Sequence, residues 1–238
     1  MGKIILAFVF LLVISSIFIS VLVAAEKPEK ITFIHYRDGS VKVVDDIKPG
    51  SPGKPSANSC YKLLGVKWQT TPVSYVINPS NSGLSESFIT NAISLGAEEW
   101  DKYTNTELFN NIYTIDYSAT WDDVAPDGKN EYVFSLYPQS NVIAVTNIWG
   151  YWGAAKRIIE YDILFNTYYA WGDASINPLV MDLQGISTHE TGHGVGLADL
   201  YSKKCSQETM YGYGSYGSII ERDLNAGDIA GIQALYGV

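Results

Sequence analysis

Two histidines one helical turn apart, with a glutamate beside the first, carry the chemistry of this 238-residue chain: His189-Glu190-Thr191-Gly192-His193. Residues four apart on a helix share a face. His189 and His193 can therefore offer imidazole nitrogens to one zinc ion, at about 2.0–2.1 Å each. Glu190 points into the neighbouring sector, where it can hydrogen-bond a zinc-bound water without being a ligand. The same pattern also arises by accident on solvated helices. Here it ends a buried-looking helix, is followed by a glycine break and uses two of the chain's three histidines.

A catalytic zinc needs a third protein ligand and one open position. The remaining histidine, His35, falls in a hairpin far upstream, where a surface role is expected over an inhibitory one. A carboxylate is thus expected as third ligand, and Asp199 is best placed, with Glu208 and Asp223 in reserve. Gly196 can take the positive φ that ends the helix and turns the chain back, which brings Asp199 toward the metal. Gly192 and Gly194 each weaken a helix by about 1 kcal/mol relative to Ala, so close approach of another backbone is expected there.

Several elements must position these residues. Ser85 can cap a helix to about Tyr103, with Ile89, Ile93, Ala97, Trp100 and Tyr103 on one face. Strands are expected at Val73–Ile77, Asn111–Tyr117, Glu131–Leu136, Asn141–Trp149 and Ile158–Phe165. The site helix is expected to open at Asn177-Pro178 and run to Gly194, and a last helix to start at Asn225 with Asp228 as capping partner. The fold class is α+β (α/β-like). Further upstream, Ile31–Tyr36 and Val41–Val44 flank Asp38-Gly39, a hairpin signal, and a Pro/Gly/Ser linker follows.

These motifs make the chain resemble a metzincin metallopeptidase of the matrixin type over about residues 61–238. The extended metzincin pattern matches at His189, Glu190, His193, Gly196 and the third-ligand position, where Asp199 stands in place of the matrixin histidine. An Asp there is similar to the snapalysins. Thr209-Met210-Tyr211-Gly212 resembles the Met-turn, and Asp228–Gly237 the matrixin C-terminal helix. The resemblance implies a metzincin zinc-protease fold: a twisted, mostly parallel sheet, an antiparallel edge strand and three main helices. It implies a zinc endopeptidase in which Glu190 activates the water, with polypeptide substrates bound along the edge strand near Ile143 and Ala144. The histidines for a second, structural zinc are missing. Asp122, Asp123 and Asp127 offer calcium ligands, although a solvated turn has the same composition. A non-catalytic cell-surface binding protein on the same fold is the alternative.

Ile4–Val23 is apolar, behind Lys3 and ahead of Val23-Ala24-Ala25, which reads as an export signal over residues 1–25. At roughly 20 residues it is also long enough for an uncleaved membrane anchor. Residues 26–59 are then an N-terminal extension or prosegment, and 60–238 the catalytic domain, secreted or held at the cell surface. Cys60 and Cys205 suit a disulfide outside the cell; free thiols, or Cys60 capping the zinc, are the other readings. A formal charge of −9 argues against nucleic-acid binding. The chain is expected to be monomeric.

Overall fold

The structure is a computed structural model and describes residues 26–39 and 60–238. The export signal, the second half of the expected hairpin and the linker lie outside those residues. No helix among the described residues is long and apolar enough to cross a membrane.

Strands β1 (Glu29–Arg37), β2 (Val76–Ile77), β3 (Thr114–Ile115), β4 (Glu131–Ser135), β5 (Val142–Tyr151), β6 (Arg157–Asn166) and β9 (Tyr213–Gly214) form one sheet in the order β3-β2-β4-β6-β5-β1-β9. A small parallel pair, β7 (Trp171–Gly172) and β8 (Met181–Asp182), lies apart. Pairing is parallel from β3 through β6 and between β1 and β9, and antiparallel for β5 with β6 and with β1. The antiparallel strand expected at the edge is β5, and the chain's own N-terminal strand lies along its free side.

Three helices complete the fold: α1 (Glu86–Asp101), α2 (Leu183–Gly194) and α3 (Ala226–Tyr236). α1 starts as its cap dictates, the Ser85 hydroxyl accepting from Phe88 N. α3 carries the expected reciprocal box between Asn225 and Asp228. α2 begins later than Asn177-Pro178 suggests. Asp182 is its N-cap, accepting from Gly185 N at 2.8 Å, and Arg222 clamps the same carboxylate. That ion pair with the cap fixes the start, while Asn177 makes a local turn to Leu179 N.

The core lies between the sheet and the crossing of α1 with α2. Trp100, Tyr75, Tyr132, Tyr161, Phe33 and Phe109 are its largest fully buried side chains. Gly96 lets the two helices meet, since a Cβ there would lie 2.9 Å from Thr188 N. Trp100 fastens the crossing by donating its indole N–H to Thr188 O at 2.9 Å. α2 is buried nearly all round despite its polar residues, because each finds a partner; Thr191, for one, is 2.9 Å from the Tyr132 hydroxyl.

Candidate metal centre

The last turn of α2 presents both histidines. His189 donates from Nδ1 to Thr209 O at 2.7 Å, and His193 from Nδ1 to Leu197 O at 2.9 Å. Each bond fixes a tautomer whose Nε2 keeps its lone pair. Gly196, at φ 110°, reverses the chain after the helix, and Leu200 pairs with Tyr211, so the return leg passes the imidazoles.

That return leg carries Asp199 in. Its Oδ1 is 3.2 Å from His189 Nε2 and 3.4 Å from His193 Nε2. Ligands at tetrahedral angles and zinc bond lengths are separated by about 3.3 Å. All three atoms are buried and make no hydrogen bond among the described residues, an expensive arrangement unless they share a cation. The residues therefore fit a divalent metal. Electrostatics agree. Burial disfavours charge on His189, yet the Asp199 and Glu190 carboxylates outweigh burial and raise its pKa to about 9. Asp199 is held well below the usual carboxylate range by the two imidazoles, despite its burial. Its other oxygen accepts from the Tyr201 hydroxyl at 2.9 Å. The reserve ligands stand elsewhere: Glu208 accepts from Gly227 N and Asp228 N at the start of α3, and Asp223 joins no metal-capable group.

Glu190 sits beside this trio, fully buried. Thr146 on β5 donates to its Oε2, and His35 on β1 lies 3.2 Å from its Oε1. Burial pushes the Glu190 carboxyl up, but the His35 contact and the neighbouring imidazoles bring it below its ordinary value. His35 is itself fully buried, which corrects the surface role expected of a hairpin residue. Thr146 carried no sequence signal. The scarcity of histidine was the only pointer to His35.

Beneath the site, Met210 and Trp100 press on α2 at Gly192, and Tyr161 lies against Gly194. The close approaches expected at these glycines are thus made by side chains, not by backbone. Asp228 holds the segment under the site by accepting from Thr209 N at 2.7 Å and Met210 N at 3.1 Å. Cys60 and Cys205 form a disulfide, which removes the free-thiol and capping readings.

The expected calcium ligands divide. Asp122 and Asp127 come together, but with Glu160; Asp123 instead pairs with Lys30 at 2.5 Å. Behind them Glu131 and Asp162 are buried without a hydrogen bond to their carboxylate oxygens, and Lys129 Nζ reaches Glu131 Oε1 at 3.9 Å.

A helix that ends in a glycine reversal, two imidazoles and a returning carboxylate on its last turn, and a methionine turn beneath define a metzincin-type zinc peptidase fold. The matrixin family model matches residues 67–237, and the chain belongs to that family of zinc metallopeptidases. No curated protein matches the chain at a significant level.

Proposed function

We propose that the protein is a secreted zinc endopeptidase in which His189, His193 and Asp199 hold the metal and Glu190 is the catalytic base. The reading rests on one observation above all: three buried donor atoms, without hydrogen-bond partners, at the mutual spacing of zinc ligands. Zinc so held supplies Lewis acidity toward a carbonyl and a water. Glu190 takes the proton of the attacking water and returns it to the leaving amine. The Thr146 hydroxyl steadies Oε2, while Oε1, which His35 Nδ1 meets at 3.2 Å, takes that proton. A polypeptide substrate adds as a strand along β5, where main-chain hydrogen bonds give affinity with little sequence demand.

Export through residues 1–25, an extension over 26–59 and a catalytic domain from Cys60 complete the reading, with the chain a monomer. Calcium is assigned to Asp122, Asp127 and Glu160, backed by Glu131 and Asp162, since Lys129, which reaches Asp127 and Glu131, offsets only one of the five negative charges gathered at that end of β4 and β6.

Casein hydrolysis by the native protein and by Glu190→Ala, each with its zinc content measured, tests the proposal. The assay is run before and after removal of residues 26–59. Both proteins should bind one zinc, and the variant should lose about 10²–10⁴-fold in kcat/KM. Zinc binding by both with no cleavage by either, even after removal, would identify a binding protein.

A further inference from the structure

We infer that Ile176, Leu179, Ile219 and Ile220, rimmed by Tyr168 and Tyr216, form a second substrate surface beside the metal centre, and that it takes an uncharged, apolar stretch of polypeptide remote from the bond being cut. The inference rests on the peptidase reading for what is cut, but not for what the surface binds.

Three stretches of chain build the surface: residues 163–172, 174–181 and 211–220. None contains Asp, Glu, Lys or Arg, in a chain that is 17% charged. They meet at Gly217, whose N donates to Val180 O at 3.1 Å and where a Cβ would lie 3.0 Å from Pro178 O. The Tyr216 ring lies 5.7 Å from that of Tyr169, which meets Tyr168 at 5.3 Å. Ile176 is 82% exposed and Leu179 76%, and the other four side chains are exposed as well. Contiguous apolar surface of this kind marks a binding site in soluble proteins.

The charges that border it are already engaged. Arg222 donates from Nε to Asp182 Oδ2 at 2.8 Å and from Nη2 to Asp173 Oδ1 at 2.6 Å. Glu221 is buried and accepts from the Ser218 hydroxyl at 2.9 Å. A charged segment laid here would lose hydration without gaining a partner. The Arg222 bonds also fasten the third stretch to the ends of the second. The surface is therefore preformed, and a ligand need not order it.

Position identifies the occupant. The stretch 211–220 starts beside the metal-bearing helix: a Cβ at Gly214 would lie 3.0 Å from Ile143 Cδ1 on β5 and 3.3 Å from Ile186 Cδ1 on α2. Ile186 stands one helical turn before His189, and Tyr216 follows Gly214 by two residues on the exposed side. A polypeptide held at the metal thus meets this surface on one side as it leaves. Surfaces that lie in a bilayer carry Lys and Arg around their apolar face, which these stretches lack.

The test uses a short peptide that the active protein cleaves, and the same peptide lengthened at either end by about eight uncharged apolar residues, so that the tail binds at high effective concentration. Lengthening at one end should lower KM about tenfold with kcat unchanged, the mark of added uniform binding. Ile176→Ser with Leu179→Ser should abolish that gain and leave the constants for the short peptide as they are. The apolar tail alone, added to Glu190→Ala protein, should shift the methyl resonances of Ile219 and Ile220, and the two serines should remove the shifts. No gain at either end, or a gain that survives both serines, would overturn the inference. So would serine-sensitive binding to zwitterionic vesicles with no shift from the tail, which would make the surface a bilayer contact. If no form of the protein cleaves peptide while the serine-sensitive shifts are seen, the surface stands and the peptidase reading falls.

Discussion

The Tyr201 hydroxyl donates to Asp199 Oδ2 at 2.9 Å and so turns Oδ1 toward the two imidazoles. Tyr201 is two residues downstream on the same return leg, and its ring is fixed from two sides, by Tyr213 at 5.4 Å and by Gly212. Tyr201→Phe keeps that ring packing and removes the hydroxyl that donates to Asp199. Outer partners of metal ligands contribute about 10–100-fold to affinity, so zinc should bind more weakly by that factor in a chelator competition, with the unfolding midpoint nearly unchanged. Unaltered zinc affinity would mean that Asp199 is oriented by the backbone alone.

Gly192 stands where α2 meets the methionine turn. A Cβ there would fall inside the van der Waals shell of Met210 Sδ and 2.6 Å from Trp100 Cζ2. The thioether can swing away, but the indole is held by its bond to Thr188 O. Gly192→Ala gains about 1 kcal/mol of helix propensity. Overpacking costs about 1–3 kcal/mol and should win. Denaturant unfolding should show a lower midpoint; a higher one would mean that α2 shifts freely over Met210.

Much of this was legible in the chain, for reasons that differ by element. α1 and α3 begin where Ser85 and Asn225 cap them, because caps act within three residues. The meeting of His189, His193 and Asp199 was legible because a helical turn and one glycine reversal are also local. α2 was expected too early, because its true start depends on Arg222 reaching Asp182 from 40 residues away. Only two residues pair in each of β2 and β3, although longer alternating runs were expected: Val73 is buried but pairs with Phe109 only as an isolated bridge, and Ile112 and Tyr117 at the ends of the second run are exposed. His35 was misjudged for the same physical reason. Asp38-Gly39 announces a turn, but the face that meets Glu190, 155 residues on, is set by a long-range register.

The Cys60–Cys205 bond closes a loop of 145 residues. In the chain-entropy model such a closure stabilises by up to ~5 kcal/mol. It also holds Cys60 against the first turn of α3, where the Cys60 carbonyl meets Gly227. Cys60→Ser with Cys205→Ser should lower the unfolding free energy by about 2–5 kcal/mol in denaturant titrations. The α3 start should become the earliest-exchanging helix end. Stability equal to native would place the constraint in packing instead.

Five carboxylates gather at the end of β4 and β6, and without a bound metal four of them, Asp122, Glu131, Glu160 and Asp162, resist ionisation. Burial is the main cause in each case. It pushes Asp162 up to about 10 and Glu131 and Glu160 up to about 7, with the neighbouring acids adding to the shift. A carboxyl whose pKa is raised on folding binds more protons folded than unfolded, so the stability it contributes is present at low pH and lost as pH rises. In a chelator, the melting temperature should therefore fall between about pH 4 and 10, the share of Glu131 and Glu160 being lost by about pH 7 and that of Asp162 only by about pH 10. Calcium reverses the sign, because a bound cation favours the charged forms and lets the protein gain stability over the same interval. Asp162→Asn removes the most reluctant acid. It should flatten the fall seen in chelator and reduce the calcium gain together. A pH profile identical with and without calcium would show that these acids are held by protons and not by a cation.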